Sequence, residues 1–168
     1  FAGKLAAVEN FTGLPTADDN VGHGTHVASI IAGSGAKSGG KYKGVAPGAK
    51  LAIGKVCETD FCDESAILAG MQWAAPIAPV VNLSLGGGDA PSIDPLEQAV
   101  EDLTAAHDTL FVISAGNAGG TATVGSPGSA DSALAVGAVD DEDRLADFSS
   151  RGPRAGDEIG RASCRERV

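Results

Sequence analysis

The histidine at position 23 stands in the setting best suited to chemistry. It lies in the run Gly22-His-Gly-Thr-His-Val-Ala-Ser29, between two glycines and at the start of a helical stretch. A side chain placed there is exposed and can be approached closely by the backbone of a substrate, as general base catalysis requires. A lone histidine would more simply be a turn or capping residue, so its role depends on what else the chain contains.

Three further motifs follow this histidine along the chain. They are Asn82-Leu-Ser-Leu-Gly-Gly87, Ser114-Ala-Gly-Asn-Ala-Gly119 and Phe148-Ser-Ser-Arg-Gly-Pro153. In this order and at these separations the four motifs resemble the subtilisin-like (S8) serine peptidases over residues 1–157. Single short motifs often match by chance, whereas four ordered ones are specific. The resemblance implies a serine endopeptidase that acts on proteins or peptides.

The resemblance also assigns catalytic roles. His23 would be the general base that takes the proton of a nucleophilic serine and later gives it to the leaving amine. His26 would be structural. Asn117 would donate its side-chain amide to the oxygen that becomes negative in the tetrahedral intermediate.

A substrate-binding edge is implied as well. An extended peptide that adds to a sheet edge is held by backbone hydrogen bonds, while pockets bind its alternate side chains. The residues that would form this edge and the S1 pocket are Ser84, Leu85, Gly86, Ala115 and Gly116, together with the segment 126–128. The simpler alternative is that residues 82–88 form only a strand end and a turn.

Two parts of the family's triad have no counterpart in the 168 residues. The triad follows the chain order Asp, His, Ser, with the aspartate in an Asp-Ser/Thr-Gly motif and the serine in a Gly-Thr-Ser-Met-Ala motif. Asp18 and Asp19 lack that context and are interpreted as surface or turn residues, and Ser163 is followed by Cys-Arg. We therefore expect a partial peptidase domain that is inactive by itself, since losing the serine costs about 10⁶-fold in kcat.

Composition limits the possible partners. The formal net charge is −10 and the pI is near 4.5, which argues against binding nucleic acid. No apolar run approaches the roughly 20 residues that span a bilayer. We expect a monomer without nucleic-acid or membrane partners. The chain begins at Phe1, so a secreted location is implied by the family resemblance alone.

Other binding functions are possible from the sequence. The run Gly35-Ala-Lys-Ser-Gly-Gly-Lys41 matches a nucleotide-binding P-loop except that Tyr42 replaces the final Ser or Thr. A zinc site at His23 and His26 lacks an obvious third ligand. A peptide-binding module without catalysis is the remaining alternative.

Cofactors and cysteines give weaker signals. No cofactor or metal site is assigned, although the family resemblance makes structural calcium possible; the acidic patch of Asp60, Asp63 and Glu64 is interpreted as solvated surface. Cys57 and Cys62 are close enough to suit a small loop disulfide, which would favour an oxidising compartment. A metal pair is the alternative, but the spacing is not that of a CxxC motif.

The elements that would position these residues alternate between apolar, β-branched runs and helical segments. This alternation predicts an α/β fold with three layers and a mostly parallel central sheet, as in an incomplete subtilisin-like domain. Strands are predicted near residues 5–11, 49–56, 79–85, 110–115 and 133–139, and helices over 27–32, 66–75 and 98–106. The helix over 27–32 is short on charge and flanked by glycines, so it is expected to be buried inside the domain. The arginine-rich residues 158–168 break the pattern and are expected to be foreign to the domain.

Overall fold

The computed structural model describes residues 1, 3–59 and 61–156. The chain divides into two compact units, residues 1–70 and 71–168. The tail predicted at 158–168 lies outside the described residues. Within them, no helix is both long enough and apolar enough to cross a membrane.

The first unit is built on two parallel strands. Its elements are β1 (Leu5–Asn10), α1 (His23–Ala32), β2 (Leu51–Lys55) and the first part of α2 (Glu64–Ala74). Strand β1 pairs with β2, so that Asn10 lies opposite Lys55 at the carboxyl end of both strands. In a parallel α/β arrangement that end carries the loops that form binding sites.

Helix α1 was expected over residues 27–32 as a buried helix, and both parts of that expectation need correction. The helix begins four residues earlier, at His23. Only Ala28 and Ala32 are buried along it, while Ile30 is 52% exposed. The apolar residues had suggested burial all round, but only the stripe of alanines is covered.

The carboxyl end of α1 is closed by residues 44–46. The Val45 backbone N–H donates to the Ile30 carbonyl at 2.9 Å, and the Ala46 N–H donates to the Ile31 carbonyl at 2.7 Å. These are carbonyls that the last turn of a helix leaves without a partner inside the helix. The loop at Gly44 and the end of α1 approach so closely that a Cβ on Gly44 would lie 2.8 Å from the Ile31 carbonyl carbon.

The second unit contains the rest of α2 and a parallel sheet of three strands in the order β3, β4, β5. The elements are β3 (Val80–Leu83), α3 (Pro95–His107), β4 (Leu110–Ser114) and β5 (Leu134–Val136). Phe111 and Ile113 of the central strand are almost fully buried and lie on one face of the sheet, whereas Val112 on the other face is half-buried. Helix α3 begins with a capping box in which Asp94 accepts from the Glu97 backbone N–H.

The predicted α/β class and all five strands are confirmed. The described strands form a parallel pair in the first unit and a parallel sheet of three strands in the second. Strand β5 is shorter than the predicted 133–139. It ends where the Ala138 N–H donates to the Ser149 hydroxyl and the chain turns to bring Val139 opposite Leu145 in an antiparallel bridge.

Candidate active site

His23 is the first residue of α1, and its placement depends on the glycine before it. Gly22 caps the helix with φ of 91°, a left-handed conformation that residues with a Cβ rarely adopt. His23 and the following Gly24 are both exposed. The imidazole therefore lies at the open end of the helix, accessible to a ligand.

Asp19 holds the turn that precedes His23. Its Oδ1 accepts from the backbone N–H groups of Val21 and Gly22 at 3.1 and 2.7 Å, and its Oδ2 accepts from the Thr25 N–H at 2.7 Å. Hydrogen bonds from Thr25, first from its hydroxyl and then from its backbone, and from the Gly22 N–H lower the pKa of the Asp19 carboxyl well below its usual range. The carboxylate also lies where the helix dipole favours negative charge.

The expectation for Asp19 was therefore incomplete. The residue is exposed, as predicted, but its carboxylate also accepts from the Thr25 N–H, one of the N–H groups that the first turn of α1 leaves without a partner. It precedes the helix by four residues, outside the pattern of a capping box. Gly22, in a left-handed conformation, lies between Asp19 and the Thr25 N–H that the carboxylate reaches.

Cys57 and Cys62 form a disulfide, so the metal pair is ruled out at these two residues. They also face each other in an antiparallel bridge, and the Glu58 N–H donates to the Phe61 carbonyl at 3.3 Å. The bridge thus closes a short hairpin directly after β2. Within the described part of the chain, no three His, Cys, Asp or Glu side chains are grouped so as to hold a metal ion.

Asn117 lies in a turn directly after β4, in the second unit. The turn begins with Gly116 at φ of 106°, where a Cβ would lie 2.9 Å from the Ser150 hydroxyl. Ser150 is 2% exposed; its backbone N–H donates to the Gly116 carbonyl at 3.0 Å and its hydroxyl accepts from the Ala118 N–H at 3.1 Å. Asn117 itself is exposed.

This arrangement explains the Phe-Ser-Ser motif, whose function the sequence did not reveal. Ser150 holds the backbone on both sides of Asn117, and the Ser149 hydroxyl accepts from the Ala138 N–H, two residues after the end of β5. The Gly119 N–H donates to the Phe148 carbonyl at 2.9 Å. A turn pinned in this way presents an exposed amide in a fixed position.

The segment 84–87 follows β3 and pairs with the segment 125–128. The Gly87 N–H donates to the Ser126 carbonyl at 2.9 Å, and the Ser114 hydroxyl donates to the Leu85 carbonyl at 3.2 Å. A Cβ on Gly125 would lie only 2.1 Å from the Gly87 carbonyl oxygen. Glycine is therefore required where the two segments approach.

The structure thus brings most of the predicted substrate-binding residues together within the second unit. Gly125 N–H donates to the Ala115 carbonyl at 3.0 Å, and a Cβ on Gly128 would lie 2.6 Å from the Ser114 carbonyl oxygen. This pairing assembles Leu85, Gly86, Ala115 and the segment 126–128, and Ser84 and Gly116 are their neighbours along the chain. His23 belongs to the first unit.

The P-loop alternative is contradicted by the local fold. Residues 35–41 follow helix α1 and form a single 3₁₀ turn, Ala36–Ser38, between Gly35 and Gly39 in left-handed conformations. A P-loop needs a strand before it and a helix after it, so that backbone N–H groups and the helix end face the phosphates. Neither element is present at this segment.

Comparison with known proteins gives one consistent result. The family model described as the subtilase family, Peptidase S8, matches residues 7–161. Serine protease AprX of Bacillus subtilis (strain 168) is 40% identical over 157 residues, covering 81% of this chain and 35% of that protein. Proteinase T of Parengyodontium album is 35% identical over 161 residues, covering 90% of this chain and 51% of that protein.

Solved structures agree. Sphericase superposes with a TM-score of 0.72 at 34% identity, covering 87% of this chain and 53% of that chain. An S218A mutant of the protease domain of PatA superposes with a TM-score of 0.74 at 32% identity, covering 89% of this chain and 55% of that chain. The chain thus spans from about a third to about half of the length of the proteins it matches. With its motifs, its fold and these similarities, the chain belongs to the subtilase family of subtilisin-like serine proteases.

Proposed function

We propose that the protein containing this chain is a serine endopeptidase in which His23 is the general base. The observation that carries the proposal is the exposed histidine at the capped start of α1, inside the Gly-His-Gly-Thr-His motif of a subtilase. Proteins and peptides are the substrates, since that is the chemistry of the family.

In the proposed reaction, His23 accepts the proton of a serine hydroxyl as the oxygen attacks the peptide carbonyl. It then gives that proton to the leaving amine. The exposure of the side chain supports the role, because a general base must come within hydrogen-bond distance of the group it deprotonates. The fixed turn around it supports the role further, because the base must be held in place.

Asn117 is proposed as the side-chain donor to the oxyanion. Charge develops on the carbonyl oxygen of the substrate, and a donor that is already in position stabilises it without reorganising. The exposed amide on a turn pinned by Ser150 fits that requirement. The segment formed by Ser84, Leu85 and Gly86 is proposed to pair with the substrate backbone, and Ala115 and Gly116 to line the S1 pocket.

The 168 residues by themselves are proposed to be inactive. They contain neither an Asp-Ser/Thr-Gly nor a Gly-Thr-Ser-Met-Ala sequence, so two of the three triad members have no match among them. The paired segments 84–87 and 125–128 would still be able to hold an extended peptide. Peptide binding without hydrolysis is therefore the second candidate function.

We also propose that the protein is secreted, on two grounds, and that it is a monomer. Membership of the family supports secretion, and so does the Cys57–Cys62 disulfide, because disulfides persist mainly in oxidising compartments. Mass spectrometry of the culture medium without reductant, together with sizing by light scattering, tests both points. A dimer, or protein retained inside cells with free thiols, would contradict them.

The decisive experiment expresses the protein from its source gene and measures hydrolysis of a chromogenic peptide. His23→Ala is expected to lower kcat by about 10⁶-fold, the range known for the triad histidine in a subtilisin. His26→Ala is the matched control, since His26 is equally exposed on the same helix, and is expected to stay within about tenfold of wild type. Equal activity of the His23→Ala variant and wild type would overturn the proposal.

A further inference from the structure

The loop that leads into α1 is held from outside by one asparagine. The Asn20 side chain uses both of its polar atoms: Oδ1 accepts from the Lys55 ammonium at 2.8 Å, and Nδ2 donates to the Glu58 carbonyl at 2.7 Å. The Lys55 ammonium also donates to the Asp18 carbonyl. Residues 18–20 are thus attached to the end of β2 and to the hairpin that follows it.

That hairpin is closed by the disulfide. Glu58 lies just inside the Cys57–Cys62 bridge, and its N–H donates to the Phe61 carbonyl. Its carboxylate Oε1 accepts from the Gly13 backbone N–H at 2.8 Å. Glu58 therefore holds the loop between β1 and α1 near both of its ends, through its side chain at Gly13 and through its carbonyl at Asn20.

Asp19 connects the anchored loop to the start of α1. It lies between Asp18 and Asn20, which are both bound by Lys55. Its carboxylate accepts from the N–H groups of Gly22 and Thr25, on either side of His23. A continuous path of contacts runs from the disulfide through Glu58 and Asn20 to this carboxylate. All of these residues belong to the first unit.

We propose that Asn20 is a positioning residue for His23, and that the Cys57–Cys62 bridge keeps the Glu58 carbonyl in place as its acceptor. Asn20 acts through Asp19 and contacts no reacting atom. The catalytic meaning of the inference rests on the proposed function of His23. The reason it matters is geometric, because a shift of about 1 Å in a catalytic group can cost about 10²-fold in rate.

The first test measures backbone amide exchange in the protein by NMR. Asn20→Ala and the paired variant Cys57→Ser/Cys62→Ser are each expected to speed exchange of the Gly22 and Thr25 amides by about tenfold, as expected when a local hydrogen-bonded unit opens more easily. The ring signals of His23 are expected to shift in both variants. Exchange along α3 and the His107 ring signals, which report on the second unit, should not change.

Two further variants separate positioning from general loosening. Thr16→Ala removes a hydroxyl that donates to Asp18 Oδ2 in the same loop, and it should leave the Gly22 and Thr25 amides at wild-type rates. Asn20→Asp keeps the acceptor for Lys55 and loses the donor to the Glu58 carbonyl, so it should behave like Asn20→Ala. Wild-type exchange in Asn20→Asp would overturn the role of the disulfide hairpin.

Combining the changes tests whether they share one path. The effects of substitutions within one hydrogen-bonded network are not additive. Adding Asn20→Ala to the disulfide-free variant should therefore raise the exchange rates by less than a further twofold. Fully multiplied effects would show two independent supports and would overturn the inference. Unchanged exchange in either single change would overturn it as well.

Peptidase kinetics give the second readout. In the protein expressed from its source gene, Asn20→Ala should lower kcat by about tenfold or more while KM stays within twofold, since substrate contacts are not altered. A change confined to KM would contradict a positioning role. If no variant or wild type hydrolyses peptides, the proposed function fails, whereas the amide exchange still decides whether Asn20 and the bridge fix the start of α1.

Discussion

The guanidinium Nη2 of Arg154 lies 3.0 Å from the carboxylate Oε1 of Glu97, and the two side chains are 12% and 1% exposed. Within the described residues, neither the Nη2 atom nor the Oε1 atom has a hydrogen-bond partner, so their contact is an ion pair. The other carboxylate oxygen of Glu97 accepts from the Asp94 N–H at 2.9 Å. One buried glutamate thus joins the start of α3 to the last described segment of the chain.

Removing the arginine should leave an uncompensated buried charge. Arg154→Ala is expected to lower the free energy of unfolding by about 3 kcal/mol, as measured by urea denaturation. The control is Arg144→Ala, because Arg144 is 71% exposed and pairs with Asp140 and Glu142 at the surface. That change should cost less than about 1 kcal/mol. Equal losses in the two variants would show that the buried pair has no special weight.

The paired segments 84–87 and 125–128 give a test of the binding edge. Gly125→Ala would place a Cβ 2.1 Å from the Gly87 carbonyl oxygen, so the segments must separate. We expect a fall of at least tenfold in affinity for an extended peptide inhibitor, measured by isothermal titration calorimetry. Gly88→Ala is the matched control, since a Cβ there meets no atom within 4 Å. Unaltered binding by Gly125→Ala would remove these segments from the binding site.

Ser150 supports the turn that carries Asn117. Ser150→Ala removes the acceptor of the Ala118 N–H and should lower the free energy of unfolding by about 1–2 kcal/mol. It should also lower kcat more than it raises KM, because the oxyanion donor is displaced while substrate contacts remain. Ser92→Ala, at an exposed position, should change stability by less than about 0.5 kcal/mol. Matching stabilities for the two variants would contradict the role of Ser150.

Asp19 should make the stability of α1 depend on pH. Its pKa is lowered in the folded state, so its contribution is fully present above the ordinary carboxyl range near pH 4 and is lost as the pH falls below it. Asp19→Asn should therefore be less stable than wild type at pH 7, by about 1 kcal/mol for an exposed cap. The difference should shrink as the pH is lowered from 4. A difference that stays constant over that range would contradict the charge of Asp19 as the cause.

Asp18→Asn is the control for this prediction. The Asp18 carboxylate accepts from the Thr16 hydroxyl and, within the described residues, accepts no hydrogen bond from the start of α1. At pH 7 it should leave amide exchange at Gly22 and Thr25 unchanged, whereas Asp19→Asn should speed it. Equal effects of the two variants would point to net charge and not to the cap.

The types of the secondary-structure elements could be predicted because their signals lie in residues within or next to each element. Helix α3 was predicted over 98–106; it is confirmed but begins three residues earlier, at Pro95, with a capping box formed by the neighbouring Asp94 and Glu97. The apolar run of Phe111 to Ile113 predicted a strand, which β4 confirms, and Phe111 and Ile113 are almost fully buried on one of its faces. Such signals act over three or four residues and need no knowledge of the rest of the fold.

Contacts between distant segments could not be predicted in this way. Nothing in the sequence indicates that Asn20 lies between Lys55 and Glu58, or that Ser150 supports the turn at Gly116. These contacts span 32 or more residues of chain and depend on how the strands pair. The Cys57–Cys62 disulfide was predictable because its partners are near neighbours, but the loop that it secures was not.

Helix α1 is only ten residues long and contains Thr, Val and two Ile, so it would be a poor helix as a free peptide. Yet Asp19 closes its first turn and residues 44–46 close its last. A helix that is hydrogen-bonded at both ends unfolds only when those contacts break, so α1 is stabilised by the neighbouring segments and not by its own sequence. On heating, His23 should therefore lose its fixed position when the first unit unfolds as a whole, and not earlier by fraying of α1.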